Sequence, residues 1–249
     1  MSVHNSDPIP AQAGIGLRSH HFREILDAPP PVAWMETHPE NYFGDGGAPL
    51  RVLEQIRSRY PLSFHGVGLS LGSTDPIDHT HLHKLNVLID RFEPAFVSEH
   101  LSWSSVGGRS FNDLLPLPYT AESLDHVCAR IDEVQTALKR PLLIENITRY
   151  LTWQDSTIPE GDFMAEAART TGCGILLDIN NVYVNAVNFG LDPLEFLRAS
   201  GPGCLGNPSG WLRSLRKMAH RYPWPGGAPG RLGTVPVGDP PLRSAPDPH

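Results

Sequence analysis

Pro141-Leu-Leu-Ile-Glu-Asn146 carries three aliphatic residues straight into a carboxylate and an amide. An unbroken apolar run of this length marks a strand buried on both faces, as in a parallel sheet covered by helices. Glu145 cannot sit unpaired in such a core, because burying an isolated carboxylate is very unfavourable. It belongs at the strand's carboxyl end, facing partners, a metal or a substrate. The same grammar recurs in Leu62-Ser-Phe-His65, in Phe96-Val-Ser-Glu-His100 and in Ile175-Leu-Leu-Asp178, which is followed by Asn180 and Asn181. Four apolar strands that each deliver a metal-capable side chain at one end are how a (β/α) barrel assembles an active site.

The chain has 249 residues, 40% of them hydrophobic, and a formal net charge of -7. That length holds one barrel or two ordinary domains, and the acidic balance argues against a general nucleic-acid or membrane-surface binder. Cys128, Cys173 and Cys204 form no close-spaced motif, which points to reduced thiols and a cytoplasmic location. No apolar stretch is long enough to span a bilayer, and the first residues have no signal-like apolar core.

Taken in order, residues 1–12 read as a flexible leader, 13–199 as a partial barrel, and 200–249 as a disordered tail. The tail holds ten prolines and nine glycines, too little apolar surface to offset its ordering entropy. Within the barrel, strands are expected at 14–18, 32–36, 62–65, 95–100, 141–146 and 174–178. That makes six βα-type strands where a closed barrel needs eight. Helices are expected at 20–26, 49–59, 79–92, 120–138, 157–172 and 192–199. Thr120 is the expected N-cap of the fourth. Thr157-Ile-Pro-Glu160 has the spacing of a capping box for the fifth. Residues 102–119 form a long loop whose Trp103, Asn112 and Asp113 suit a lid or substrate wall. His79, His81 and His83 fall at a polar helix start and read as solvated.

His65, His100, Glu145 and Asp178 are nitrogen and oxygen ligands that suit iron, manganese or zinc, and no cysteine lies near enough in sequence to suggest a thiolate site. Glu36, His38 and Asn41 at the end of the second strand are expected to support the ligands, contact substrate or shape the loop. Asn146, Asn180 and Asn181 serve either as loop holders or as ligands. The glycine-rich stretch Gly66–Gly72 lacks the lysine of a phosphate-binding loop and the GxGxxG order.

Seven motifs bear a family resemblance: Gly14-Ile-Gly-Leu-Arg18, His38-Pro-Glu-Asn-Tyr-Phe43, Ser63-Phe-His-Gly-Val-Gly-Leu-Ser-Leu-Gly72, Ser98-Glu-His-Leu-Ser-Trp103, Asn112-Asp-Leu-Leu-Pro-Leu-Pro-Tyr119, Ile144-Glu-Asn146 and Leu177-Asp-Ile-Asn-Asn-Val-Tyr183. Together they resemble the multinuclear non-haem iron-dependent oxidative enzymes (MNIO), once known only as a domain family of unknown function. The resemblance runs over about residues 13–198. It implies a barrel like that of xylose isomerase, two or three iron ions, and oxygen-dependent modification, usually at cysteine, of ribosomally made precursor peptides. It also implies a separate protein that presents the peptide. By motif match, His65, His100, Glu145 and Asp178 fall on metal-ligand positions, with Glu145 the bridge.

After Ala199 the chain departs from the family pattern, which continues with two further strands bearing histidine and acidic ligands. On that ground an incomplete barrel is expected, with one firmly held iron at most, impaired oxidative activity, and open sheet edges prone to self-association. Two other readings stay open. One is a non-catalytic truncated barrel. The other is a different metal-dependent barrel enzyme, an isomerase or phosphodiesterase.

Overall fold

The computed structural model describes residues 12–200. The leader and tail expectations lie, but for their innermost residues, outside the described part. Six strands form one parallel sheet: β1 (Ile15–Gly16), β2 (Met35–Thr37), β3 (Leu62–Gly66), β4 (Phe96–His100), β7 (Leu143–Glu145) and β8 (Gly174–Leu176), in the order β1-β2-β3-β4-β7-β8. The remaining two, β5 (Trp103–Val106) and β6 (Arg109–Leu115), pair antiparallel as a separate ribbon. Seven α-helices lie between and after the strands: α1 (Phe22–Asp27), α2 (Ala48–Arg57), α3 (His79–Phe92), α4 (Ala121–Leu138), α5 (Glu160–Thr171), α6 (Ile179–Phe189) and α7 (Pro193–Ser200). The described residues thus provide six βα-type strands of a TIM-type (β/α) architecture, as the sequence indicated.

The core sits between the outer face of the sheet and the apolar stripes of the helices. Leu50, Leu53 and Ile56 of α2, Leu82, Leu85 and Ile89 of α3, and Val127, Ile131 and Val134 of α4 are buried at helical spacing. They pack with Phe64, Val97, Ile144 and Ile175, one outward-facing residue from each of β3, β4, β7 and β8, in a single apolar cluster. Alternation along a strand then sends the neighbours of these four residues to the opposite face. Ser63 and His65 flank Phe64, Ser98 follows Val97, and Glu145 follows Ile144.

Asp78 caps α3 by accepting from Thr80 N–H and His81 N–H, and Thr120 caps α4 by accepting from Ser123 N–H. The capping box at Thr157 does not form. α5 starts with Pro159 at the N-cap position and no side-chain cap, and the Glu160 carboxylate is drawn elsewhere. It accepts from the Tyr119 hydroxyl at 2.9 Å and pairs with Arg149 at 3.1 Å, with both charged side chains almost wholly buried. Arg149 also lies over the rings of Tyr119 and Phe189. A buried cation that neutralises Glu160 outweighs a local cap.

Two elements differ from expectation. The 102–119 loop is mostly the β5–β6 hairpin, turned at Gly107 and Gly108, both with positive φ, as a two-residue primed turn requires. The end of the sixth strand runs directly into α6, whose N-cap is Asp178.

Arg149 generates a stability prediction. Removing one partner of a buried pair leaves an uncompensated charge, so Arg149→Leu should lower unfolding free energy by about 3–5 kcal/mol in urea titration. Arg149→Leu combined with Glu160→Leu should recover most of that loss.

Candidate metal centre

Register builds the site. In the parallel ladder His65 lies opposite Ser98 and His100 lies opposite Glu145, so three inward-facing side chains meet at the carboxyl ends of β3, β4 and β7. His65 Nε2 is 2.9 Å from Glu145 Oε2, His100 Nε2 is 3.3 Å from the same oxygen, and the two imidazole nitrogens are 3.2 Å apart. His65 and Glu145 are buried and His100 nearly so.

The far nitrogens settle what these atoms present. His100 Nδ1 is 3.1 Å from the Gly66 carbonyl. A carbonyl only accepts, so Nδ1 carries the hydrogen and Nε2 is left with a lone pair. His65 Nδ1 is 2.7 Å from Ser98 Oγ, whose hydroxyl can donate to the Phe64 carbonyl at 3.4 Å. His65 Nδ1–H then donates to the serine, and its Nε2 also faces inward as a lone pair. Two lone pairs and a carboxylate oxygen so close together repel unless a cation lies between them. Glu145 Oε2 is buried without a hydrogen-bond partner. Donor atoms at adjacent positions about 2.1 Å from a metal ion are about 3 Å apart, which matches the spacing here. The donor set, two imidazoles and a carboxylate, fits a divalent transition metal and is sufficient for iron. Among the described residues these three are the one such group whose ligand atoms converge.

The same crowding of carboxylates acts on the titration of His65. Burial alone would lower the His65 pKa, but the carboxylates of Glu145, Glu36 and Glu99 outweigh it and hold it above the ordinary histidine value.

Asp178 stands beside the triad rather than in it. Its Oδ1 accepts from Asn181 N–H at 2.9 Å, while burial and the nearby Glu145 raise its pKa, with Asn181 and His65 opposing. Asn146 is a staple. Its side chain donates to the Asp178 carbonyl and accepts from Asp178 N–H, both at 2.9 Å. Asn181 returns a bond to the Asn146 carbonyl at 2.8 Å. These two asparagines hold the ends of β7 and β8 together. Of the residues on the second strand, Glu36 lies 3.4 Å from Ser63 Oγ. His38 Nδ1–H donates to the His65 carbonyl at 2.8 Å. Asn41 is exposed and lines, with His38 and Arg18, a separate cleft of about 460 Å³.

A second cleft, of about 580 Å³, opens at His100. One wall is Phe111, Asn112, Asp113 and Leu114 of β6. The other includes Ile147, Thr148, Tyr150 and Asn181. Asn112 and Asp113 therefore form a wall as expected, while Trp103 braces it, packing edge-on against Phe111 and donating to the Pro116 carbonyl at 3.0 Å.

Three residues near the ligands were not singled out from sequence. Glu40, Glu99 and His81 surround the glycine-rich loop. Burial alone would raise the Glu40 pKa, but His81 and Val67 N–H hold it below the usual carboxylate range. The solvated reading of His81 is corrected, since its side chain is mostly buried 3.5 Å from Glu40 and edge-on to Phe43. His79 and His83 are exposed as expected.

Residues 12–202 match a family model described as RiPP precursor modification enzyme MbnB/TglH/ChrH. A UPF0276 protein of Anaeromyxobacter sp. (strain Fw109-5) is 52% identical over 186 residues, covering 75% of this chain and 66% of that protein. A UPF0276 protein of Chromobacterium violaceum is 49% identical over 198 residues, covering 80% and 71%. The chain thus spans about two thirds of the length of these relatives. In fold it is similar to D-allulose 3-epimerase from Methylomonas sp. in complex with D-allulose, with TM-score 0.52, 13% identity, and 87% and 82% of the two chains covered. A D-psicose 3-epimerase structure in the presence of D-fructose aligns with TM-score 0.50 at 10% identity, covering 78% and 71%. At such identities the likeness concerns fold alone. No helix among the described residues is long and apolar enough to cross a membrane.

The exchange of proton for metal has a measurable sign. In metal-free protein the raised His65 pKa contributes stability that is fully present below about pH 6.5, the ordinary histidine value. That stability is lost as pH rises through the higher folded value. Thermal melting of metal-free protein should fall over that window and lose this component in His65→Gln. Metal affinity, which needs the neutral imidazole, should rise with pH over the same range.

Proposed function

The chain belongs to the family of RiPP precursor modification enzymes MbnB/TglH/ChrH, and from that membership and the triad we propose that it is an iron-dependent oxidative enzyme acting on a ribosomally made precursor peptide, at a cysteine. The observation that carries the reading is the convergence of His65, His100 and Glu145, whose donor atoms lie close enough together to share one cation. When bound there, iron would supply the capacity to pass electrons from a substrate thiol to dioxygen.

The protein's own groups hold, orient and admit. Ser98 and the Gly66 carbonyl fix the two imidazoles with Nε2 inward. Glu145 brings the charge that favours a divalent ion. Asp178, within the field of Glu145 and His65, would help to hold any further, weakly bound ion beside the one the triad retains. Glu36, through Ser63, and His38, through the His65 carbonyl, brace the strand that carries His65. The cleft at His100 would take an extended segment of the peptide. Asn112, Thr148 and Asn181 offer hydrogen-bonding groups, and the exposed Phe111 and Tyr150 offer apolar contact. Presentation of the peptide by a partner protein, and self-association through the sheet edges, belong to the same proposal.

A phosphodiesterase reading is disfavoured by the glycine-rich loop. The N–H groups of Val67 and Gly68 are taken by Glu40 and that of Leu69 by Glu99, so the donors that would cradle a phosphate already face carboxylates.

The test is anaerobic loading with iron(II) followed by metal analysis, then aerobic incubation with candidate cysteine-containing precursor peptides and mass spectrometry. Wild-type protein should retain about one iron per chain, in line with a single facial set of two histidines and a carboxylate. His65→Ala and Glu145→Ala should each lose iron and any peptide mass change. A wild-type chain that retains no iron would overturn the reading.

A further inference from the structure

The loop that follows β3 turns three successive N–H groups toward two carboxylates, that of Glu40 partly buried and that of Glu99 fully buried. Val67 and Gly68 donate to Glu40 Oε1 at 2.8 and 3.1 Å, and Leu69 donates to Glu99 Oε2 at 3.0 Å. Glu40 comes from the single 3-10 turn Pro39–Tyr42 after β2. Glu99 is in β4, one residue before a metal-binding histidine, but alternation turns it to the other face, where it is 1% exposed. Its Oε1 accepts from His100 N–H at 2.9 Å. His81 of α3 stands behind Glu40 and against the loop.

The glycines of this loop exist for close approach. A Cβ on Gly66 would lie 2.8 Å from Glu99 Oε2, and one on Gly68 would lie 2.4 Å from the His81 ring. Neither position has room for a side chain, because carboxylates and an imidazole fill the space. What the clamped loop delivers to the site is one atom. The Gly66 carbonyl accepts from His100 Nδ1–H at 3.1 Å, and that bond sets both the ring's orientation and which nitrogen keeps the lone pair. Glu99 Oε1 lies 3.5 Å from the same Nδ1.

We propose that Glu40, Glu99 and His81 are positioning residues for the metal centre. They clamp the 66–69 loop so that the Gly66 carbonyl holds His100 with its Nε2 lone pair toward His65 and Glu145. The proposal rests on the reading that the triad binds a metal. Without Glu40, Val67 and Gly68 N–H lose their acceptor, the loop relaxes, and His100 is free to rotate or change tautomer. Groups that orient a metal-binding histidine in this way change metal affinity without touching the metal.

The experiment is titration of metal-free full-length protein with cobalt(II), read by equilibrium affinity and by the visible absorption spectrum, which reports the donor set. Glu40→Ala should weaken cobalt binding roughly ten- to hundredfold and alter the spectrum. Glu40→Gln keeps an accepting oxygen for Val67 and Gly68 and should restore near wild-type affinity and spectrum. If Glu40→Ala does not fold, Gly68→Ala, which pushes against His81 and leaves the triad's own side chains in place, should show the same loss. Should wild-type protein bind no cobalt, or His100→Ala bind it equally well, the metal reading itself fails. If wild type binds and His100→Ala does not, wild-type affinity and spectrum in Glu40→Ala, or in Gly68→Ala where that variant is needed, overturn the positioning role alone.

Discussion

The parallel register that sets His100 opposite Glu145, with His65 one step lower opposite Ser98, is the constraint on which the rest of the structure depends. It brings two imidazole nitrogens and a carboxylate oxygen within 2.9–3.3 Å of one another. Such a set is unfavourable without a positive charge at its centre. The sheet that holds it is anchored on its outer face by apolar packing, with Phe64, Val97, Ile144 and Ile175 nearly or fully buried against the helices. A core packed at this density leaves the strand ends little freedom to relieve the repulsion by moving apart. Rigidity on one face therefore keeps the three polar atoms together on the other.

Around this centre the chain uses partly or fully buried carboxylates in two distinct ways. Glu40 and Glu99 meet backbone N–H groups of the glycine-rich loop. Glu160 meets Arg149 and the Tyr119 hydroxyl, where burial raises its pKa and Arg149 and Tyr119 oppose that shift. The first arrangement holds the loop beside His65 and His100. The second pins the segment after β7, since Arg149 N–H also donates to Asn185 Oδ1 at 2.7 Å and Asn188 returns a bond to the Arg149 carbonyl. That segment carries Thr148 and Tyr150 of the cleft wall. Both polar clusters therefore position a functional surface as well as filling the interior.

The hairpin β5–β6 gives the fold its departure from a plain barrel. Its ladder is interrupted: Ser105 pairs with Ser110, while two residues back Trp103 pairs with Leu115. β6 therefore carries three extra residues at the bulge, within Phe111–Leu114. The segment that lines the cleft at His100 is the segment displaced from regular pairing. Bulges re-aim side chains beside active sites, and the position of this one suits a family whose substrates are peptides.

The sequence by itself determined the strand ends, and through them the fold class and the three side chains that converge there. An apolar strand that terminates in histidine or glutamate has no other stable place for the polar group than the carboxyl end of a covered sheet. Local chemistry also announced the Thr120 cap and, had its Gly107-Gly108 pair been weighed as a primed turn, would have announced the hairpin. It misled at Thr157, where the spacing of a capping box lost Glu160 to an arginine eleven residues earlier in the chain. It also read the continuation of Asp178 as strand end and loop, although Asp178 with Val182 and Ala186 has the cap and spacing of a helix. Only the tertiary structure brought Glu40, Glu99 and His81 together. They come from a turn, a strand and a helix separated by other elements, and they matter only because two glycines let them approach one loop. Hydrophobic periodicity is a property of neighbours in sequence. A hydrogen bond from Val67 to Glu40, 27 residues away, depends on where the packed sheet has already carried both.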